Sequence, residues 1–206
     1  MAKYLEIHPE NPQPRLIKEV VETIHSGGLM VYPTDSGYAL GCHIGDKAAL
    51  DRVRRLRQLD KHHNFTLVCR DLSELATYAR VDNAMFRLLK SYTPGPYTFL
   101  LKATGEVPKR LMHPKRKTIG IRVPDNAIAQ AILEQLGEPI MSSSMIFPDM
   151  EEQPYDPYYI NELFGSRLDL VVNGGYCGDL PTTVVDLTDG SPAVIRAGAG
   201  DPESFG

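Results

Sequence analysis

This sequence predicts an α/β domain built on a mixed sheet, and three observations carry that reading. Helical and strand-like periodicities alternate along the chain. Glycine and proline punctuate the boundaries, as at Gly27-Gly28, Thr93-Pro94-Gly95-Pro96 and Gly137. The last strand-like runs, 168–172, 183–187 and 193–196, are joined by short connectors, so antiparallel pairing accompanies parallel pairing.

Residues 13–26 place Leu16, Ile17, Val20, Val21 and Ile24 on one helical face, with Gly27-Gly28 as the stop. A strand over 29–34 runs into Thr34-Asp35-Ser36-Gly37-Tyr38, read as a hinge loop. Pro33 has no donor to continue a ladder, and Gly37 and Gly41 let the backbone turn or approach a ligand. The hydroxyls of Thr34, Ser36 and Tyr38 either satisfy that loop's own backbone or face a small molecule at a strand end, and the two readings stand level here. A helix over 46–59 buries Ala49, Val53 and Leu56, with its arginines on the other side. Residues 65–69 read as a buried strand, 72–78 and 83–92 as helices, and 97–103 as a strand beyond the breaker. A basic loop leads to a strand over 118–123 that ends at Pro124, a helix over 126–136 and a strand over 139–144. The polar, acidic stretch 147–157 reads as a mobile loop or lid, followed by a short helix over 157–164.

A chain of 206 residues is long enough for a sizeable core and is read as one domain. Cys42, Cys69 and Cys177 are odd in number and widely spaced, which suggests neither a disulfide framework nor a metal site. The N-terminus lacks the apolar core of a signal peptide and no run reaches membrane-spanning length, so a cytoplasmic protein with no membrane partner is expected. A formal charge of −4 argues against a generally basic nucleic-acid binder. Two local basic groups stand out all the same: Arg52, Arg54, Arg55 and Arg57, and Lys109, Arg110, Lys115, Arg116 and Lys117. Each is by default a solvated face; together they hint at an anionic partner.

Polar clusters recur at predicted strand ends: 118–124, Ser142-Ser143-Ser144, Pro181-Thr182-Thr183 and Arg196-Ala197-Gly198. Arg122 interrupts an apolar strand, where a guanidinium is costly to bury without an anion. A ligand carboxylate or phosphate is preferred as its partner, with an internal Asp or Glu as the alternative. Strand alternation puts Ser142 and Ser144 on one face and Ser143 on the other. No GxSxG elbow, P-loop, HExxH or GxGxxG is present, and His62-His63 is read as ordinary loop histidine.

At these residues the chain resembles the YrdC-like superfamily, which includes threonylcarbamoyl-AMP synthases, and is most similar to its YciO branch. The resemblance runs from Ile7-His8-Pro9 through 32–42, His63-Asn64-Phe65-Thr66-Leu67, Thr93-Pro94-Gly95, 118–124 and 181–187 to Arg196-Ala197-Gly198. It implies a twisted mixed sheet flanked by helices, with a positively charged concave face. It further implies condensation of threonine, bicarbonate and ATP, with Mg²⁺, into threonylcarbamoyl-AMP for a tRNA adenosine modification. Some members also bind double-stranded RNA. By motif position, Thr34, Tyr38, Arg122, Ser142 and Thr182 match the threonine side, and Thr118, Ser144 and Arg196 the nucleotide side. The synthases' Lys-x-Arg pair aligns with Arg55-Leu56-Arg57 or with Arg57-Gln58-Leu59, so Arg55 and Arg57 are the nucleotide candidates. In either alignment an arginine replaces the lysine, a change that is not neutral around phosphates. The asparagine of a Ser-x-Asn motif is replaced by Ile146.

The expected function is therefore a nucleotide-binding relative of the synthases that forms or hydrolyses the adenylate. No residue is assigned as a covalent catalyst, and no metal ligand is assigned. The alternatives are a nonenzymatic double-stranded RNA or tRNA binder, using Arg52, Arg54, Arg55 and the 109–117 basic residues along the concave face, and a sensor of ATP or AMP.

Overall fold

The computed structural model describes residues 1–60 and 62–205, and these carry a ten-stranded mixed sheet flanked by helices. In chain order the elements are β1 (Lys3–Glu6), α1 (Pro14–His25), β2 (Met30–Thr34), β3 (Gly37–His43), α2 (Lys47–Arg57) and β4 (Thr66–Val68). There follow α3 (Leu72–Tyr78), α4 (Asn83–Tyr92), β5 (Tyr97–Lys102), β6 (Thr118–Arg122), α5 (Ala127–Leu136) and β7 (Ile140–Ser144). The chain ends with α6 (Pro157–Phe164), β8 (Leu170–Asn173), β9 (Thr183–Asp186) and β10 (Ala193–Arg196). The spatial order is β1-β8-β2-β3-β7-β4-β6-β5-β9-β10. β8 is parallel to β1 and β2, β4 to β6, and β5 to β9; the remaining neighbours are antiparallel, so the expected mixed sheet is found. No helix among the described residues is long and apolar enough to cross a membrane.

Local chemistry sets the helix ends. Asp46, Asn126 and Asp156 cap α2, α5 and α6 by accepting backbone N–H groups of the first turn, and Gly137 ends α5 with φ +74°.

Two strands are absent from the sequence reading. β1 pairs only with β8, and β3 occupies much of the stretch read as a hinge loop. β3 forms because β2 and β7 flank it on both sides, and that pairing overrides the low strand propensity of its glycines. The loop contracts to a turn at Asp35-Ser36, and Pro33 lies within the β2–β3 ladder opposite Tyr38. β8 pairs with β2 only at Met30 and Val31, so Pro33 lies beyond the end of that second ladder.

The two faces of the sheet are covered unequally. One carries Val31, Leu40, Leu67, Phe99, Ile121, Met141 and Val185, packed continuously against apolar residues of α2, α3, α4 and α6. The other carries Met30, Tyr32, Ala39, Val68, Ile140 and Leu170, packed against α1 and α5. That second core stops at β4. By strand alternation, the same face of β6, β5 and β9 continues with Gly120, Arg122, Thr98, Leu100 and Val184, none of which joins it. The uncovered part of this face is where a polar floor is tolerated.

Candidate functional site

A cavity of about 420 Å³ opens over that uncovered face, within the range of small-molecule sites. Strand ends supply Thr34, Tyr38, Arg122, Ser142, Ser144, Thr182 and Arg196, so seven of the residues chosen from the sequence line one space.

The β2–β3 end is built around Arg122. Its Nη1 donates to Ser36 Oγ at 2.9 Å and its Nη2 to Asp35 Oδ1, while Asp35 Oδ2 accepts the Asp125 amide at 2.9 Å. The arginine and carboxylate are 7% and 11% exposed at the side chain. Of the two partners weighed for Arg122, the internal carboxylate is therefore the one present, supplied by the turn that strand pairing creates. Arg122 still lines the cavity, and its buried Nε has no protein partner.

The hydroxyls here serve the scaffold while facing the cavity. Thr34 Oγ1 donates to Gly37 O at 2.7 Å and accepts the Ser36 amide at 3.1 Å. Tyr38 Oη donates to Gly175 O at 2.6 Å and accepts the Gly174 amide at 3.1 Å. Burial raises the Tyr38 pKa strongly, so it remains a phenol. Ser142 Oγ donates to Leu40 O at 2.9 Å and so receives the Tyr32 hydroxyl at 2.8 Å. Burial pushes the Tyr32 phenol up to about 12.

Arg196 lines the opposite end of the cavity, whereas Arg57 does not line it and lies behind Ser143, which does. Arg57 is 8% exposed and donates from Nη1 to Ser143 Oγ at 2.6 Å, while its Nε is buried without a protein partner. Its guanidinium lies 5.9 Å from the Phe147 ring centroid. Burial, then the nearby charge of Arg196, lowers the Arg57 pKa to about 10. Arg196 donates from Nε and Nη2 to Thr182 O at 3.1 and 2.8 Å, and from Nη2 to Thr182 Oγ1 at 3.2 Å. Thr182 Oγ1 in turn meets Thr98 Oγ1 at 2.7 Å. Among the described residues, neither Arg57 nor Arg196 has a carboxylate within 4 Å. His63, on the cavity wall, is pushed down to about 4 by burial first and by Arg57 second, so it is neutral at pH 7. The buried Oδ1 of Asn64, on the same wall, has no protein partner.

Ser142 and Ser143 engage Tyr32 and Arg57 on opposite faces, as alternation requires, and Ser144 follows Ser142. The 147–157 stretch is tied to itself: Gln153 accepts the Phe147 amide at 2.6 Å and donates to Phe147 O and Met150 O at 2.9 and 3.0 Å.

Other candidates lie elsewhere. Arg55 is exposed on α2 and Thr118 is buried in β6, and neither lines the cavity. Arg52 pairs with Asp169 at 2.6 Å. Arg54 donates to Arg110 O at 3.3 Å and lies 5.2 Å from the Phe65 ring centroid, and Arg110 reaches Gly45 O. Lys109, Lys115, Arg116 and Lys117 are exposed beyond Arg110. None of these basic residues lines the cavity. The sequence reading did not choose Thr66, Thr98, Asn64, Gln153 or Asp179 as site residues, although Asn64 and Thr66 belong to a segment that carries the family resemblance, and all five line the cavity. A hydroxyl within an otherwise apolar strand, as at Thr66 and Thr98, was the available signal.

The family profile for Sua5, YciO and YrdC proteins, described as "Telomere recombination", matches residues 22–198. The crystal structure of E. coli YciO is 57% identical, covers 100% of both chains and superposes with a TM-score of 0.96. A threonylcarbamoyl-AMP synthase of Nitrosococcus oceani is 30% identical over 161 residues, covering 77% of this chain and 85% of the synthase. P. abyssi Sua5 complexed with L-threonine shares the fold at a TM-score of 0.88 and 24% identity, over 98% of this chain and 59% of that one.

Proposed function

This chain belongs to the Sua5/YciO/YrdC family, and from that premise we propose that its cavity binds a nucleotide beside an amino acid and forms or hydrolyses threonylcarbamoyl-AMP, in connection with tRNA adenosine modification. One observation carries the reading: Arg196 lines the cavity with no carboxylate within 4 Å among the described residues, and Arg57, buried behind the lining Ser143, has none either. A buried cation is stable only when something answers it, and phosphate oxygens match a guanidinium in charge and geometry. In this reading Arg196 and Ser144 take the phosphates, with Arg57 adding its charge from behind Ser143, while Thr34, Tyr38, Arg122, Ser142 and Thr182 frame the amino acid. The threonine complex of P. abyssi Sua5 supports an amino acid at one end.

The chemistry asked of the chain is positioning plus charge stabilisation. Arg196 orients the phosphates, and both arginines oppose the charge that moves onto phosphate oxygens as the acyl-phosphate bond forms or breaks. Neutral His63 and the wall at Phe147 limit water around Arg57. ATP and Mg²⁺ are the implied cofactors, and the donor set suits an ion carried in by the nucleotide: Asp179 is the one carboxylate lining the cavity among the described residues. Asp179 would hold Mg²⁺ together with phosphate oxygens, and the ion would neutralise part of the triphosphate charge. The test is turnover: purified protein with ATP, threonine, bicarbonate and Mg²⁺, and separately with the adenylate, is expected to release pyrophosphate or consume adenylate. No turnover of either above a protein-free control removes this activity.

A second reading, a nonenzymatic tRNA or double-stranded RNA binder, is favoured by a different observation. Lys109, Lys115, Arg116 and Lys117 are exposed and unaccompanied by acid from 107 to 117. Salt-sensitive RNA affinity lost on changing these four to Ala supports it; affinity indifferent to salt removes it.

A further inference from the structure

A second recess, of about 720 Å³, lies between the β1–β8 edge of the sheet, the start of α6 and the Gly175-Tyr176 segment, and shares Tyr155 with the cavity. Four tyrosines line it, Tyr4, Tyr155, Tyr158 and Tyr176, with two carboxylates, Glu6 and Asp156; among the described residues no lysine, arginine or histidine does. Tyr155, Tyr158 and Tyr176 are 44%, 64% and 81% exposed, so their rings are open to a partner rather than spent on the core. Tyr4 and Glu6 are two apart on β1, with Glu6 opposite Asn173 of β8, so alternation turns both to one face. Burial raises the Tyr4 pKa, a hydrogen bond with Asn173 opposes that, and the charges of Asp156 and Glu6 add to it. The phenol therefore stays neutral, and both carboxylates act on one spot. Asp156 Oδ1 caps α6 through the Tyr158 and Tyr159 amides at 2.7 and 3.2 Å, while Oδ2 takes no part in that cap. The helix N-terminus offsets part of the Asp156 charge. Glu6 has no ion-pair partner among the described residues.

Charge decides between the ligands that aromatic rings attract. A nucleic acid could stack its bases here only by bringing phosphates against two carboxylates. An ammonium group pairs with a carboxylate and is drawn to the face of a tyrosine ring, and the methylenes beside it pack on the same rings. Two carboxylates on separate elements, β1 and the cap of α6, match a ligand with ammonium groups at more than one point of an aliphatic stem. We propose that this recess binds a linear aliphatic polyamine, its ammonium groups on Glu6 and Asp156 and its stem across the tyrosines. The inference goes beyond the reading of the cavity and does not rest on it.

The test is calorimetric titration of the full chain with spermidine. One-site binding that weakens as salt rises is expected, and hexanediol, an aliphatic stem without ammonium groups, is expected not to bind. Glu6→Gln and Tyr158→Ala are each expected to lower spermidine affinity at least ~3-fold. Glu134→Gln, an exposed acid on α5 across the sheet, is expected to leave it unchanged. Equal losses in Glu6→Gln and Glu134→Gln would make spermidine a mere counterion of a chain with formal charge −4. That result, full affinity in Tyr158→Ala, or no spermidine binding at all overturns the proposal. Binding of a trilysine peptide without binding of spermidine assigns the recess to a protein partner and overturns it as well. Glu6 and Tyr158 are exposed, so both variants are expected to fold. Circular dichroism checks this, and either folded variant decides.

Discussion

Tyr38 and Gly175 join the two loops that frame the cavity: the phenol of β3 donates to the Gly175 carbonyl at 2.6 Å and accepts the neighbouring Gly174 amide at 3.1 Å. The contact fixes the 174–182 segment, which carries Asp179 and Thr182, over the β2–β3 turn. Gly37 and Gly178 make the approach possible: a Cβ on Gly37, at φ +108°, would stand 3.2 Å from Gly178 O.

Removing that hydroxyl in Tyr38→Phe leaves a Gly174 amide without its acceptor in a buried place. The expected loss is about 1–3 kcal/mol in urea denaturation. Hydrogen exchange is expected to speed up over 174–182 more than in α1 or α5. Uniform acceleration everywhere would mean the contact is not local to the loop.

Among the described residues, Ser142 is the only acceptor given to the Tyr32 hydroxyl, and Tyr32 is 0% exposed. Ser142→Ala is therefore expected to cost about 1–3 kcal/mol, and the Tyr32→Phe/Ser142→Ala double variant less than the sum of the singles. Strict additivity in that cycle contradicts the pairing.

His63 gives the stability curve a pH window. Its folded pKa of about 4 lies below the ordinary value of 6.5, so as pH falls the unfolded chain takes up a proton before the folded one does. The contribution of neutral His63 is complete above pH 6.5, declines as pH falls, and is fully lost near pH 4. Chemical denaturation at pH 7.0, 5.5 and 4.5 is expected to show a decline larger than that of His63→Gln over the same range. An equal decline in the two proteins contradicts the depressed pKa. Phosphate bound in the cavity would oppose the Arg57 charge and raise the His63 pKa, read by NMR titration with and without ATP.

Much of the site was legible because chemistry and strand position coincide. Thr34, Arg122, Ser142, Thr182 and Arg196 are polar residues at strand ends, and the sheet order brings those ends together. Other features depend on partners far apart in the chain. Asp35 and Arg122 are 87 positions apart, and nothing local to either says that one neutralises the other. Arg55 and Arg57 look alike in sequence; only the packing of α2 makes one exposed and the other buried. Alternation puts Thr66 and Thr98 on one face of their strands but cannot say which face is covered, and the limits of α1 and α5 decide that. β3 was concealed because glycine and proline weaken local strand signals, while flanking ladders supply the pairing.

The central claim is that Arg57 is a buried cation kept for an anionic ligand, and Arg57→Met separates that role from a structural one. Replacing an unpaired buried guanidinium by an apolar side chain of similar length is expected to leave the melting temperature unchanged or raised. ATP affinity, measured by calorimetry in Mg²⁺ buffer, is expected to fall at least ~10-fold, consistent with loss of a buried positive charge behind the phosphate end of the cavity. ATP binding equal to that of the unmodified protein, in a variant that remains folded, would contradict the account.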